Sequence, residues 1–259
     1  MKKVILLNKK EGETPLEALE KFRSKNIGYK NVPMTYAGRL DPMASGVLLI
    51  LAGKETKNKE KYLAFTKEYE FEVLFGFATD TYDILGKVTF VNLPLDKGEA
   101  ERGSSIEFVK KIKENLKYFT GKFIQKYPAY SSKPVNGVPM FAHSRAGTEV
   151  EIPEREVFVS QLKFLKIRKI KKEKLLENIE KRINKVSGDF RQKEILKIWQ
   201  KEIVKNKKVP DSFLLVKFKI KCGSGTYVRG IANSLGEKIN LPALAFSIKR
   251  TKIGKWSKI

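Results

Sequence analysis

The sequence has little of two residue types on which many enzyme sites depend. Its 259 residues include one cysteine, Cys222, and one histidine, His143. A single cysteine cannot form a disulfide within the chain, and the two residues together cannot supply the four ligands of a Cys/His zinc site. A Ser-His-Asp or Cys-His mechanism would depend on His143 alone. We therefore expect no metal site, and any chemistry to be carried by carboxylates, tyrosines or cations.

Long hydrophobic runs are also absent. No apolar stretch approaches the roughly 20 residues that span a bilayer. The apolar run at residues 4–7 is too short for the core of a signal peptide and leads directly into a polar stretch. The sequence therefore favours a cytoplasmic protein with no membrane segment.

Acidic residues are scarce relative to basic ones. There are 29 Asp and Glu against 53 Lys and Arg, which gives a formal net charge of +24. A charge of this size attracts polyanions, and nucleic acid is the partner that it favours. An anionic membrane surface is the alternative.

The residues that are present indicate an α+β protein built on a mixed sheet. Apolar runs and apolar alternation predict strands, amphipathic periods predict helices, and clusters of glycine and proline predict loops. The strands are predicted at 4–7, 46–52, 69–77, 86–91, 156–167, 213–221 and 246–253, the helices at 15–25, 104–119 and 226–239, and long loops at 28–42 and 127–147. The lysine-rich segment 163–208 is predicted to form one or two helices broken near residues 187–189.

The most specific segment is residues 36–46, Tyr-Ala-Gly-Arg-Leu-Asp-Pro-Met-Ala-Ser-Gly. It places Asp41 between Leu40 and Pro42, directly before a strand of unbroken apolar character. Proline fixes one backbone dihedral and keeps Asp41 out of helical geometry, so this loop could hold a catalytic carboxylate rigidly. From spacing alone, an ordinary Asp-Pro turn is an equal alternative.

Residues 38–48 resemble the signature of the TruB family of pseudouridine synthases, Gly-x-Leu-Asp-Pro-x-Ala-x-Gly-x-Leu. Four further stretches match family motifs in the same order: 67–86, 125–137, 222–238 and 248–251. The resemblance implies the mixed, mainly antiparallel sheet of the pseudouridine synthase catalytic fold with flanking helices. It also implies the isomerisation of a uridine in RNA to pseudouridine without a cofactor, with uridine 55 in the T-loop of tRNA as the expected target.

The resemblance also assigns roles to individual residues. Asp41 matches the essential aspartate, which acts either as a nucleophile or as a base. Arg229 matches the arginine that pairs with it, and Asp83 either shares that arginine or caps a turn. Tyr69 matches the tyrosine that stacks on a flipped base, although a tyrosine on a strand is otherwise more often a core residue. Two further matches, Tyr227 and Ile248, line the pocket, although Ile248 could equally be ordinary core.

Some positions depart from the family pattern. Tyr36 occupies the place of a usual histidine and could stack there, although it cannot share the proton chemistry of an imidazole. Lys133 sits one place earlier than the family's lysine in the loop that contacts RNA. The usual Lys-Pro pair near the N-terminus is replaced by Lys9-Lys10.

Two larger departures concern the end of the chain and its basic segment. The last family match lies just before Ile259, and we therefore expect the C-terminal RNA-binding domain of the PUA type, which usually follows in this family, to be missing. We therefore expect one catalytic domain over 1–259, with a helical insertion at about 168–210. The segment 163–208 carries 17 basic and 6 acidic residues, a net charge of +11. We expect it to bind phosphates and partly replace the absent domain, through Lys171, Lys172, Lys174 and Lys185.

The expected partner is the T-arm of tRNA, bound by a monomer. A charged helical pair that only faces solvent is the alternative for segment 163–208. Two other functions also stay open: the same chemistry on another RNA such as ribosomal RNA, and a non-catalytic RNA-binding or chaperone protein of the same fold. The intact set of Asp41, Tyr69 and Arg229 argues against the non-catalytic reading, because binding alone would not require it.

Overall fold

The computed structural model describes residues 2–91, 101–206 and 209–257. Its strands are β1 Val4–Lys9, β2 Met34–Ala37, β3 Ala44–Ala52, β4 Lys67–Phe75, β5 Phe77–Thr79, β6 Val88–Val91, β7 Gly121–Lys126, β8 Pro134–Val135, β9 Val138–Pro139, β10 Glu154–Lys171, β11 Ser212–Cys222, β12 Ala243–Ile253 and β13 Trp256–Ser257. Its α-helices are α1 Pro15–Lys25, α2 Lys59–Leu63, α3 Glu101–Asn115, α4 Met140–Ala146, α5 Lys172–Ile183, α6 Gln192–Gln200 and α7 Val228–Lys238.

One nine-stranded sheet organises the described residues. Its main strand order is β1-β3-β12-β4-β11-β10-β7, with β2 paired to β3 and β13 paired to β12. The pairing of β3 with β12 is parallel, and the other pairings in this sheet are antiparallel. This arrangement confirms the predicted α+β class and the mixed, mainly antiparallel sheet.

The local signals in the sequence explain the best-predicted elements. From Val47 to Ala52, β3 is buried at every residue, as its unbroken apolar run requires. Helix α1 starts with a full capping box, in which Thr14 accepts from the Glu17 backbone and the Glu17 side chain accepts from the Thr14 backbone. Both elements therefore form where short-range sequence dictates.

The predicted loops contain more regular structure than expected. The loop at 28–42 includes β2, which pairs along β3. The loop at 127–147 includes the β8–β9 hairpin and α4, where Gly147 ends the helix in a left-handed conformation. These predictions were wrong because glycine and proline mark the ends of short elements as well as true loops.

The lysine-rich segment is a strand before it is a pair of helices. Strand β10 continues to Lys171 and pairs with β11 over its second half. The strand predicted to residue 167 is therefore confirmed, and the helical prediction for residues 168–171 was wrong. Helices α5 and α6 follow, and a short π-helical turn, Lys201–Lys205, ends the pair. The lysine-rich pattern predicts a helix at residues 168–171, but the backbone hydrogen bonds with β11 keep these residues in a strand.

Helices α5 and α6 bury a continuous apolar face against the main sheet. Ile179 and Trp199 have no exposed surface, and they lie in one core cluster with Leu74 and Phe246 of the sheet. The indole nitrogen of Trp199 donates to the Ile84 carbonyl at 3.2 Å. The helical part of the basic segment is therefore anchored in the core. None of the helices in the described residues is long and apolar enough to cross a membrane.

Gly46 generates a prediction because two backbones meet there. It has φ +108°, and a Cβ at this position would lie 2.1 Å from the Arg250 carbonyl oxygen on β12. Gly46→Ala should therefore force β3 and β12 apart, costing about 1–3 kcal/mol of overpacking beyond the left-handed backbone penalty of about 1–2 kcal/mol. Urea unfolding measures the loss.

The matched control is Gly121→Ala. Gly121 has φ +86° but no atom within 4 Å of a Cβ, so this variant carries the backbone penalty alone. Equal destabilisation of the two variants would show that the contact between β3 and β12 is not limiting.

Candidate active site

Asp41 lies in a tight loop between β2 and the buried strand β3. Its carbonyl accepts from the Ala44 backbone at 3.0 Å, and the carbonyl of Pro42 accepts from the Gly12 backbone at 2.9 Å. The Asp41 side chain keeps 39% of its surface exposed. The backbone of this loop is thus fixed from two sides, while its carboxylate stays accessible.

A buried lysine holds the loop from below. Lys9 is 1% exposed, and its ammonium group donates to the carbonyl oxygens of Ala44 at 2.6 Å, Lys10 at 2.9 Å and Pro42 at 3.4 Å. Burial lowers the pKa of Lys9 to about 8, although nearby carboxylates, Asp41 among them, oppose the shift. Lys9 is the lysine that the family's Lys-Pro pair also has, and it places a buried cation against the backbone of the Asp41 loop, whereas the departure from the family pattern is at Lys10.

A buried arginine holds the other side of the loop. Arg250 on β12 is 1% exposed and donates to the carbonyls of Val47 at 2.7 Å and of Gly38 and Arg39 at 3.2 Å. The sequence analysis predicted no separate role for Arg250. A usable signal is its position two residues after Ile248, on the inward face of an alternating strand.

Arg229 forms an ion pair with the Asp41 carboxylate. Its Nε donates to Oδ2 of Asp41 at 2.8 Å, and its side chain is 3% exposed. Burial alone would lower the pKa of Arg229, but the carboxylates of Asp41 and Asp83 outweigh burial and raise it. The predicted pair of Asp41 and Arg229 is therefore present, with the cation buried and the carboxylate at the surface.

Two backbone carbonyls complete the support of Arg229. One terminal nitrogen donates to the Thr81 carbonyl at 2.8 Å, and the other donates to the Tyr130 carbonyl at 3.0 Å. Arg229 itself lies in the first turn of α7. One side chain thus joins four segments that are distant in sequence.

Asp83 lies beside this network without bonding to Arg229 directly. Its Oδ1 accepts from the Thr81 hydroxyl at 2.8 Å and from the Leu85 backbone at 3.0 Å. Burial raises the pKa of Asp83 to about 6, although the charge of Arg229 opposes the shift. Asp83 therefore combines the two predicted alternatives: it stabilises its turn by hydrogen bonds and acts on Arg229 through its charge.

Tyr69 and Ile248 lie in the core cluster beneath the Asp41 loop. Each is 9% exposed, and the cluster also contains Leu40 and Ala44 from the loop. Strand pairing places Tyr69 opposite Arg250 and Ile248 opposite Ala44. Burial raises the pKa of Tyr69, so its phenol stays neutral. The two side chains therefore pack in the same core as Leu40 and Ala44, which flank Asp41 in the loop.

Tyr227 is held at the site by an amide on a neighbouring strand. Gln125 on β7 donates to its carbonyl and accepts from its backbone nitrogen, both at 2.9 Å. The Tyr227 ring lies 5.6 Å from the Arg229 guanidinium and packs edge-on against Tyr127. In the sequence, Gln125 is only the first residue of the stretch 125–137 that matches a family motif, and the structure gives it this positioning contact.

Lys133 extends the aromatic pair toward the surface. It is exposed on the loop before β8, and its ammonium group lies 5.7 Å from the Tyr127 ring. Tyr36 lies elsewhere, on β2, where its hydroxyl accepts from Arg39 at 3.2 Å and Lys59 lies 5.9 Å from its ring. Tyr36 thus faces surface cations rather than the pair of Asp41 and Arg229.

The four lysines proposed in the basic segment lie at opposite ends of α5. Lys171 pairs with Ser212 at the end of β10, and Lys172 and Lys174 follow in the first turn of the helix. Lys172 binds Asp211 at 3.0 Å, and Lys174 binds Glu177 at 2.8 Å. Two of the four charges are therefore already paired within the chain.

Lys185 follows the other end of α5, close to the Asp41 loop. The 12 residues of the helix separate the two ends by about 18 Å. The backbone of Lys185 packs against Gly12, because a Cβ at Gly12 would lie 2.6 Å from the Lys185 carbonyl oxygen. The Gly12 backbone nitrogen in turn donates to the Pro42 carbonyl. Lys185 is exposed and, within the described residues, is in no ion pair.

Comparison with protein families gives a match over most of the chain. Residues 25–190 match the model of the TruB family pseudouridylate synthase N-terminal domain. A tRNA pseudouridine synthase B from Ligilactobacillus salivarius (strain UCC118) is 32% identical over 255 residues, covering 97% of this chain and 67% of the relative. One from Geobacillus thermodenitrificans (strain NG80-2) is 33% identical over 251 residues, with 97% and 67% covered.

Solved structures share the fold at lower identity. A chain of a Cbf5-Nop10-Gar1 complex is similar with a TM-score of 0.54 and 18% identity, covering 99% of this chain. A chain of an H/ACA RNP bound to a substrate RNA containing 2'-deoxyuridine gives 0.53 and 18%, also covering 99%. This chain spans about half the length of these structures, 50% and 49%.

The buried Asp83 predicts a pH-dependent stability difference. Between about pH 4 and 6 the native state holds a proton that the unfolded state has lost, so the free energy of unfolding falls as pH rises through this range. Asp83→Asn keeps an oxygen for Thr81 and Leu85 but does not titrate. Relative to this variant, the wild type should lose up to about 3 kcal/mol between pH 4 and 7.

Urea unfolding of both proteins at several pH values measures this difference. Asp211→Asn, at a side chain 96% exposed, controls for the loss of one negative charge. A difference that does not change with pH, or that grows in favour of the wild type as pH rises, would contradict the shift.

Proposed function

Because the chain belongs to the TruB family of pseudouridylate synthases, we propose that it isomerises a uridine in tRNA to pseudouridine, with Asp41 as the catalytic residue. The observation that carries the proposal is the exposed Asp41 carboxylate bonded to the buried Arg229 at 2.8 Å. A protein that only bound RNA would have no need of an arginine buried behind an accessible carboxylate.

The reaction requires the glycosidic bond from the sugar C1' to N1 to break and a bond from C1' to C5 to form. A proton leaves C5 and N1 gains one, so the product is an isomer and no co-reactant is consumed. Because N1 and C5 lie on the same ring, the freed base must turn between the two steps. The pocket must therefore hold the base loosely enough to rotate and firmly enough to retain it.

The two oxygens of Asp41 have different roles in this proposal. Oδ2 accepts from Arg229, whereas Oδ1 accepts no hydrogen bond from the residues that the structure describes. Arg229 thus fixes the plane of the carboxylate and leaves Oδ1 to face the sugar and the base. Attack by Asp41 and removal of a sugar proton by Asp41 would both use this oxygen.

Tyr69 and Ile248 provide a surface for the base. An enzyme that acts on a base within structured RNA must first flip it out of the stack, and aromatic and apolar side chains offset the lost stacking. Tyr69 and Ile248 lie in the same cluster as the loop residues Leu40 and Ala44, adjacent to Asp41. We propose that the flipped uridine stacks on Tyr69, next to Ile248.

The substrate we propose is tRNA, with uridine 55 in the T-loop as its target. The two bacterial relatives, which this chain covers to 67% of their length, are named tRNA pseudouridine synthase B. Incubating the protein with bulk tRNA and mapping pseudouridines tests this proposal, with ribosomal RNA as a parallel substrate. If only ribosomal RNA were modified, the substrate would be ribosomal RNA and not tRNA. The monomeric state and the cytoplasmic location stay predictions.

Asp41→Asn should remove catalysis but not RNA binding. The amide is nearly isosteric with the carboxylate but cannot act as a base or nucleophile, so turnover should fall by at least about 100-fold. Single-turnover assays measure the rate, and filter binding should give a Kd within a few-fold of wild type. Asp211→Asn is the control that leaves the site untouched. Retention of a substantial fraction of turnover in Asp41→Asn would refute the catalytic role.

We propose that Lys133 and Lys185 bind phosphates of the RNA next to the flipped uridine. Both are exposed, and each is one or two contacts from the site: Lys133 through Tyr127, and Lys185 through Gly12. Lys171, Lys172 and Lys174 lie at the far end of α5, so a role for them requires an RNA that extends along the helix.

Substitution at the two ends of α5 tests this arrangement. Each phosphate contact contributes about 0.7–0.9 to the slope of log Kd against log salt. Lys185→Gln should weaken tRNA binding and flatten the slope by about that amount, with saturated turnover little changed. Lys171→Gln removes the same charge at the far end and should leave the slope unchanged.

The triple change of Lys171, Lys172 and Lys174 to Gln extends the comparison. If it flattened the slope while Lys185→Gln did not, the RNA would lie over the far end of α5. If neither variant changed affinity or slope, the helical pair would be a surface that faces solvent.

A further inference from the structure

The connector between α5 and α6, residues 184–191, reaches the active site through Arg191. One terminal nitrogen of Arg191 donates to Oδ2 of Asp80 at 2.7 Å and to the Tyr130 hydroxyl at 2.7 Å. Its guanidinium also lies 4.3 Å from the centre of the Tyr130 ring. The side chains of Arg191 and Asp80 are only 16% and 20% exposed. Arg191 thus clamps two chain segments that are 50 residues apart.

These two segments are the ones that support Arg229. The Thr81 carbonyl follows Asp80 directly, and the second carbonyl belongs to Tyr130 itself; both accept from Arg229, at 2.8 and 3.0 Å. A shift of either segment would therefore move a hydrogen-bond acceptor of Arg229. Because Arg229 bonds to Asp41, the shift would reach the catalytic carboxylate.

The backbone around Arg191 is held in an uncommon conformation. Arg191 has φ 63° and ψ 25°, a left-handed geometry that disfavours residues other than glycine and asparagine. Its backbone nitrogen donates to the Asp189 side chain at 3.1 Å, and its carbonyl accepts from Ile195 at 3.0 Å in the first turn of α6. Arg191 therefore sits at the fixed start of a core helix, which suits a clamp better than a mobile surface contact.

We propose that Arg191 is a positioning residue for the reaction, which holds the Asp80–Thr81 turn and the Tyr130 loop so that their carbonyls aim Arg229 at Asp41. The proposal rests on the proposed function. Arg191 lies one position beyond residues 25–190, which match the family model. A second ion pair, between Lys87 and Glu194 at 2.6 Å, also connects the chain that follows the Asp80–Thr81 turn to α6.

The rival role for Arg191 is a direct contact with an RNA phosphate. The two roles differ in kinetics, because loss of a phosphate contact raises KM and flattens the salt slope, whereas loss of alignment lowers kcat at saturating RNA. The observed partners favour alignment, since both side-chain hydrogen bonds of Arg191 within the described residues go to Asp80 and Tyr130. The test therefore separates kcat from KM.

Arg191→Ala should lower kcat by about 10- to 100-fold, the loss expected for a misplacement near 1 Å, with KM and the salt slope little changed. Asp80→Asn should cause a similar loss, and the double variant should be no worse than either single one, because the residues act as one unit. Arg145→Ala is the matched control. Arg145 bonds to the same connector, at the Asp189 carbonyl at 2.8 Å, but takes no part in the clamp.

Two further measurements keep the outcome decisive. If Arg191→Ala does not fold, Arg191→Lys replaces it in the test. Lysine retains the charge but lacks the planar group that lies on the Tyr130 ring and also bonds to Asp80 and Tyr130, so we expect a kcat between those of the wild type and the alanine variant. The Nε–H resonance of Arg229 in NMR spectra should exchange with water faster in the Arg191 variants, whether or not RNA is turned over.

An unchanged kcat with a raised KM would make Arg191 an RNA contact and overturn the proposal. Multiplied losses in the double variant, or an unchanged Arg229 resonance, would also overturn it. If the wild type forms no pseudouridine in any RNA, the proposed function fails instead, and the NMR comparison still decides whether Arg191 holds Arg229.

Discussion

The buried guanidinium of Arg229 is the interaction on which the site depends. Removing such a charge from water costs several kcal/mol, and its attraction and hydrogen bonds must offset that cost. Its partners Asp41, Thr81 and Tyr130 are 188, 148 and 99 positions away in sequence. The network therefore forms only after the sheet has brought these segments together. A disturbance in any one of them reaches the carboxylate through Arg229.

Two other buried cations fix the backbone of the Asp41 loop. Lys9 and Arg250 bond mainly to backbone carbonyls, six in all, rather than to carboxylates. Such bonds hold the chain path of the loop without neutralising the Asp41 side chain. The three cations thus have two separate roles: Arg229 orients the Asp41 carboxylate, and Lys9 and Arg250 fix the backbone that carries it. Loss of Arg229 and loss of Lys9 should therefore disturb the site differently.

The sequence predicts those parts of the protein that depend on neighbouring residues. The capping box of α1, the apolar run of β3 and the Asp41 loop are local, and each lies where it was expected. The pair of Asp41 and Arg229 came from family resemblance, because nothing within either segment indicates the other. The roles of Arg250 and Arg191 were not predicted. Arg250 donates to backbone carbonyls, and Arg191 acts on Arg229 through two segments whose backbone carbonyls accept from Arg229. Because every residue has a carbonyl, the sequence does not show which ones accept these bonds.

The net charge of segment 163–208 also shows what the sequence alone does not reveal, namely which charges are paired within the fold. Its three arginines each bind a carboxylate outside the segment: Arg168 binds Glu72, Arg182 binds Glu11 and Arg191 binds Asp80. Arginine suits such contacts because its planar fork can hold two bonds at once. The net charge of +11 therefore overstates the field available to RNA. What remains for phosphates is carried by lysines, whose flexible, hydrated charges can follow a phosphate backbone without fixing its geometry. We therefore propose that the arginines of this segment make contacts within the protein and that its lysines attract the RNA.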